Sequence, residues 1–174
     1  VNYNSARFLK ACVESVCCSD GALEIVVVDN ASIDGSADFL DNLTASDESL
    51  HVIRNEENRG FAAGNNQGIE LSKSEHILLL NPDCLVFPHT IRLLSEELDI
   101  DASAGIVGGL VFNFDGSEQR GCRRREPTLA RSLGKVFQRH AFTAELNQVD
   151  MTDEPLPEKQ ICVDAVSGSF LMIR

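Results

Sequence analysis

An α/β fold, with a mostly parallel central sheet flanked by helices, is what this sequence predicts, and three observations carry the prediction. Short β-branched or leucine-rich runs alternate with amphipathic segments through the first two thirds of the chain. The run Glu24 to Asp29 (EIVVVD) shows no polar alternation, as a strand buried on both faces requires. Three strand–helix units are complete by residue 98.

The elements follow in order. Val1 to Tyr3 reads as the stub of a first strand, and Ala6 to Cys17 as a helix with Phe8, Leu9, Cys12, Val13 and Val16 on one face and Ser5 as its N-cap. After Glu24 to Asp29, a short helix is expected over Gly35 to Leu43, capped by Asp34. His51 to Asn55 is the next strand, Phe61 to Ser72 a helix, His76 to Leu80 a strand, and His89 to Leu98 a helix. Ile106 to Phe112 is a further strand, closed by a turn at Asp115-Gly116. Residues 116 to about 160 then lose the period: a basic cluster (RGCRRR, Arg120 to Arg125), a weak helix near Leu129 to Phe142 and an acidic, proline-bearing stretch read as an excursion from the sheet. Strands return at Ile161 to Val166 and Phe170 to Ile173.

Composition narrows the class. The 174 residues, 43% hydrophobic and 24% charged, suit one ordinary domain with a sizeable core. With 15 basic against 27 acidic residues the net charge is −12, a field that repels nucleic acid. No aliphatic run approaches the ~18 to 20 residues of a membrane-spanning helix. Six cysteines without a C-x-x-C spacing, several in apolar stretches, fit reduced thiols in the cytoplasm, the inner face of the cell membrane included. The chain opens on Val1 with no leader and is already in a strand there, so a fold truncated at both ends is expected.

Ligands of open parallel sheets bind at the carboxyl ends of the strands. Here those ends carry Tyr3-Asn4, Asp29-Asn30, Asn55 to Asn58 and Asn81-Pro82-Asp83, a rim of amides and carboxylates suited to a ligand with hydroxyls and a pyrophosphate. Pro82 restricts Asn81 to an extended backbone and helps aim Asp83 out of the strand end, where a hard cation such as Mg²⁺ or Mn²⁺ could take it as one of its few protein carboxylates. The other reading of Asp83 is a turn cap. The small residues that open NRGFAAGNNQG (Asn58 to Gly68) allow close approach of a ligand or, equally, close helix-to-sheet packing, and no P-loop follows. The arginine cluster is read as a solvated loop before a phosphate site.

In chain order, VNYNS, VVVDNASIDGS, NRGFAAGNNQG, LLLNPD and VDAVSGSFLMIR resemble the motifs of inverting family 2 glycosyltransferases, most closely the rhamnosyltransferase-like branch. The resemblance implies a GT-A fold, a nucleotide-diphosphate sugar donor, a divalent cation (Mg²⁺ or Mn²⁺), and transfer with inversion to a saccharide or lipid-linked saccharide in cell-surface polysaccharide synthesis. Carried onto this sequence, it makes Tyr3, Asn4, Asp29, Asn30, Asn65, Asn66, Asn81 and Asp83 the nucleotide-sugar residues, with Asp83 the metal ligand. Asp29 would accept the imide N–H of uracil or thymine, which points to a UDP- or dTDP-sugar. Asn81 stands where the family's D-x-D motif has its first acid, so it would meet ribose or a metal-bound water. Arg125, Ser167 and Gly168 fall on the acceptor side, dividing the chain into a nucleotide-sugar part (1–98) and an incomplete acceptor part (99–174). The family's general base is expected beyond Arg174, Asp164 being a strand residue ahead of the Ser167-Gly168 turn. A non-catalytic nucleotide-sugar-binding module would share the same motifs. A dinucleotide oxidoreductase is disfavoured, because no G-x-G-x-x-G follows the first strand.

Overall fold

The computed structural model describes residues 1–21, 23–45, 47–126 and 149–174; the helix expected over Leu129 to Phe142 lies outside them. In chain order the elements are α1 (Phe8–Cys17), β1 (Ile25–Asp29), α2 (Leu40–Thr44), β2 (Leu50–Arg54), α3 (Phe61–Leu71), β3 (Ile77–Leu80), α4 (Thr90–Ile100), β4 (Ile106–Gly108), β5 (Arg123–Arg124), β6 (Ala165–Val166) and β7 (Phe170–Ile173). They form two compact units: residues 1–107 with 169–174, and residues 108–168. The last strand therefore returns to the first unit. Among the described residues no helix is long and apolar enough to cross a membrane.

In the first unit β1 and β2 pair in parallel, from Ile25 opposite Leu50 to Asp29 opposite Arg54. The stub before α1 contributes one parallel bridge, Asn2 to Asp29, on the other edge of β1. A second sheet has the order β3–β7–β4, and β3 runs antiparallel to β7 from Ile77 opposite Ile173 to Leu80 opposite Phe170. The sheet structure is thus mixed, because β7 re-enters after the excursion and inserts between β3 and β4.

The core follows from the apolar spacing. Leu9 and Val13, four apart on α1, pack with Val27 of β1, Ala37, Leu40 of α2 and Leu50 of β2. Phe8, expected on that face, is 43% exposed. Helix α4 buries Ile91, Leu94 and Leu98. Gly68 of α3 lies where an added Cβ would touch Val26 and Val28, so the small residues of this helix bring it close to β1. At Gly64 an added Cβ would sit 2.8 Å from the Val1 side chain, a packing role for the glycine.

The second unit is built on the two-residue β5–β6 ladder, Arg123 opposite Val166 and Arg124 opposite Ala165. Part of the arginine cluster expected to be a solvated loop is a strand here. Arg123 is 5% exposed, its Nε and Nη2 donating to both carboxylate oxygens of Glu118 at 2.8 and 2.6 Å. Nη2 also donates to the carbonyls of Met151 and Glu154. Fork geometry explains the burial: a guanidinium meets both oxygens of a carboxylate side by side and still has N–H groups for backbone carbonyls.

Candidate functional site

The carboxyl end of β1 is organised by a residue that the sequence reading passed over. Asn2 is fully buried, its backbone clamped by N–H donation to Val28 O (2.7 Å) and acceptance from Asn30 N–H (2.8 Å). Its Nδ2 lies 2.7 Å from Asp29 Oδ1, 2.9 Å from Ser32 Oγ and 3.0 Å from Ser36 Oγ, and its Oδ1 accepts from the Ser5 hydroxyl. Ser5 therefore serves this network and not the expected helix cap; α1 begins after Arg7 without a side-chain cap, and Phe8 N–H uses only the Ser5 carbonyl. The available signal for Asn2 was its residue type, since asparagine is depleted in strands and needs a partner when buried there.

Asp29 is 4% exposed, and no ion pair of the described residues involves it. Its Oδ1 accepts from Asn2 Nδ2 and from the Ser32 hydroxyl at 2.6 Å, while Oδ2 accepts the Ser32 N–H at 3.3 Å. Amide and hydroxyl dipoles thus support the carboxylate, and one oxygen keeps acceptor capacity for another N–H. Around it the backbone is bent: Asn4, Ala6 and Ala31 have φ of 51°, 49° and 61°. Left-handed backbone at alanine costs roughly 1–2 kcal/mol, and such strain gathers at sites where surrounding bonds enforce it. Those bonds are present: Asn4 N–H donates to Ser32 Oγ, Asn4 Oδ1 accepts Ile33 N–H, and Asp34 accepts the N–H groups of Ala6 and Ser36. Hydrogen bonds from Ser36, then from Ala6, hold the Asp34 carboxyl below its ordinary value. Asp34 closes this turn, whereas α2 begins only after Phe39. Tyr3 stands beside the network, 52% exposed.

Asn30 faces inward. It is 1% exposed, with Nδ2 donating to Gly60 O and Oδ1 accepting from Asn55 Nδ2, which also donates to Gln67 Oε1. Its side chain ties the end of β1 to the start of α3. In α3, Asn65 Nδ2 donates to Phe61 O, and Asn66 is exposed.

After β3 the chain turns sharply. Asn81 N–H donates to Ser169 O at 2.9 Å and Asn81 O accepts Cys84 N–H at 3.1 Å, which pins the tetrapeptide through Pro82 to the end of β7. Asp83, at the outer corner, is exposed, and no ion pair of the described residues engages it. Among the described residues no group of three or more His, Cys, Asp or Glu could hold an ion alone. One exposed carboxylate beside an amide fits a hard cation that takes one or two protein carboxylates and fills its shell with phosphate and water.

Arg125, Ser167 and Gly168 belong to the second unit. Arg125 is committed to a two-pronged pair with Glu154, at 2.6 and 3.0 Å. Asp164 is exposed, and it accepts the Glu126 N–H at 2.8 Å.

A family model described as "Glycosyl transferase family 2" matches residues 1–163. "Glycosyltransferase GlyG" of Streptococcus pneumoniae is 30% identical over 117 residues, 67% of this chain and 38% of that protein. "Succinoglycan biosynthesis protein ExoU" of Rhizobium meliloti is 37% identical over 95 residues, 54% of this chain and 28% of that protein. The chain thus spans well under half the length of these relatives. Among solved structures, a mannosyltransferase of Pyrobaculum calidifontis in complex with GDP-Man and Mn²⁺ superposes with a TM-score of 0.58 at 24% identity, over 64% of this chain and 34% of that one. S. aureus TarS 1-349 in complex with UDP gives 0.54 at 19% identity, over 68% and 38%. Likeness at these identities establishes the fold, which is GT-A.

Proposed function

The chain belongs to glycosyl transferase family 2, and from that premise we propose that it binds the donor for a transfer of sugar, hexosyl or rhamnosyl, from a pyrimidine nucleotide diphosphate to an acceptor hydroxyl with inversion. Cell-surface polysaccharide synthesis is the proposed setting, supported by the succinoglycan role in the name of the Rhizobium relative. The observation that carries the reading is the turn after β3, which presents the exposed Asp83 carboxylate on a backbone pinned by Asn81.

Asp83 is the proposed cation ligand, and Asn81 meets the ribose or a metal-bound water. When bound, a divalent cation stabilises the negative charge of the departing diphosphate, typically by several kcal/mol. Asp29 offers its under-used Oδ2 to the imide N–H of the base, while Tyr3 supplies a flanking ring and Asn4, Asn65 and Asn66 supply amides around the nucleotide. Asn30 acts through Gly60 and Asn55. On the acceptor side, Arg125 reaches a substrate only by releasing Glu154, with Ser167 and Gly168 beside β6. No residue of the chain is assigned as the base.

Thermal unfolding with UDP-, dTDP- and GDP-sugars, each with and without Mn²⁺, tests the proposal. A ligand at about a hundred times its Kd adds roughly 2.7 kcal/mol of stability. UDP- or dTDP-sugar with Mn²⁺ is expected to raise the melting temperature. Asp83→Ala should abolish the Mn²⁺-dependent part without altering the ligand-free melt. GDP-sugar is the strict control, because guanine also offers N–H donors to a carboxylate; a larger shift with GDP-sugar removes the pyrimidine assignment. An Asp83→Ala protein that still responds to Mn²⁺ removes the metal assignment.

A further inference from the structure

Residues 81–89 carry the chain from β3 to α4 outside any strand or helix, and Asp83 lies among them. Helix α1 and its exit hold this crossing at three places. Cys12 Sγ lies 3.5 Å from Asn81 O, Ser15 Oγ accepts the Val86 N–H at 3.2 Å, and the Asp20 N–H donates to Pro88 O at 2.9 Å. The Asp20 carboxylate also meets His89 Nδ1. Residues 12, 15 and 20 thus meet residues 81, 86 and 88 in the same order, so the crossing is laid along the second half of α1 and the turn that follows it.

Ser15 makes the middle contact, and its hydroxyl is used in both directions. It donates to Cys12 O at 2.7 Å and accepts from Val86 N–H. A serine inside a helix gains nothing for the helix, because its hydroxyl competes for backbone groups; its use here is outward, toward the crossing. Val86 is buried, and a buried N–H left without a partner is costly. Leu85 and Phe87 on either side are exposed, so Val86 is the residue that fastens this stretch to the fold.

Asp83 therefore stands between two fixed points. On one side Asn81 bonds Ser169 O and the Cys84 N–H; on the other, three residues on, Val86 bonds Ser15. The Asp83 side chain is exposed, so its place follows from its backbone. A cation that takes only one or two protein carboxylates gains from a backbone held in advance, since ordering that backbone on binding would subtract from affinity.

We propose that Ser15 is a positioning residue for the cation site: through the Val86 N–H it holds the crossing on α1 and so keeps Asp83 in place for a divalent cation. The inference rests on the assignment of Asp83 as the cation ligand. Ser15 acts through the main chain, without touching cation or nucleotide.

The test titrates Mn²⁺ against the chain in the presence of UDP and, in a parallel series, of GDP, so that the choice of base does not decide the outcome. Ser15→Ala is expected to weaken Mn²⁺ binding about tenfold, the loss typical when a partner that orients a metal ligand is removed, and to speed hydrogen exchange of the Val86 amide. Ser15→Thr keeps a hydroxyl that a helical residue can direct at the carbonyl three or four residues back, and it should restore both. Val13→Ala, on the core face of the same helix, is the control for stability. It should lower the melting temperature at least as far as Ser15→Ala and leave Mn²⁺ affinity unchanged. A Ser15→Ala protein that binds Mn²⁺ as the original does overturns the proposal. So does an equal loss in Val13→Ala, which makes the effect one of stability alone, or a threonine variant that returns Val86 exchange to its original rate without regaining affinity. Absence of any Mn²⁺ response in the unaltered chain with either nucleotide instead removes the Asp83 assignment, and the positioning role falls with it.

Discussion

The two units bury charge in opposite ways. In the second, Arg123 meets Glu118 through both carboxylate oxygens and donates further to backbone carbonyls, and Arg125 grips Glu154. In the first, the buried Asp29 meets no cation among the described residues; Asn2 and Ser32 support it with neutral donors and leave one oxygen under-used. A closed ion pair has little left to offer a ligand. A carboxylate held by dipoles is fixed in place yet still short of donors, and that difference ties the ion pairs of the second unit to structure and suits Asp29 of the first to the role proposed for it.

The contrast can be broken at four points, from large effect to small. Glu118→Ala should strand a buried guanidinium and cost about 3–5 kcal/mol, whereas the double change Glu118→Leu with Arg123→Met should recover most of it. Denaturant unfolding of the single and double variants measures this, and a mild single variant would mean that the pair is hydrated. Asn2→Ala removes a donor from a buried carboxylate and leaves Ser5 and Ser36 short of a partner, so a loss of about 1–3 kcal/mol is expected. The same change should weaken nucleotide binding, which Glu118→Ala should not; equal losses in both would dissolve the distinction between the units. Gly64→Ala sets a methyl 2.8 Å from the Val1 side chain, and overpacking of this kind typically costs about 1–3 kcal/mol, here at the low end because Val1 can shift. A stabilised Gly64→Ala variant would show that α3 does not press on the stub.

The smallest effect is with pH. Hydrogen bonds lower the Asp34 carboxyl below the ordinary 3.8, so the unfolded chain takes up its proton first on acidification. The stabilisation it lends is complete above that ordinary value and is lost as pH falls through the lowered one. Asp47, Asp101 and Asp115 are lowered in the same way, each by a serine two residues on, so overall melting cannot isolate Asp34. Exchange of the Ala6 and Ser36 amides can: both should open at acid pH, and Asp34→Asn should flatten their response.

Much of the fold was legible before any coordinates. The run EIVVVD is β1 from Ile25, the helix expected over Phe61 to Ser72 is α3 to within a residue, and the strand before Asn81 is β3. These succeed because burial on both faces, or on one helical stripe, writes a local period into the chain. Where local rules met competition they failed. Ser5 had the residue type and position of a cap, but its hydroxyl found Asn2. Arg123 sits in a charge run that resembles a solvated loop, and nothing in that run announces that Glu118 and the Met151 carbonyl will close around it.

By itself, then, the chain determined where its strands and helices lie, which polar residues end each strand, and that a sugar-nucleotide enzyme family supplies the nearest pattern. Only the tertiary structure decided which of those strand-end groups turn inward, as Asn30 does, and which turn out, as Asp83 does. It alone made Asn2 the hub of Asp29, 27 residues away. The physical reason is range. Periodicity and capping are settled by neighbours a few residues apart, whereas the partner of a buried polar atom is chosen by which distant backbone the closed loops deliver to it.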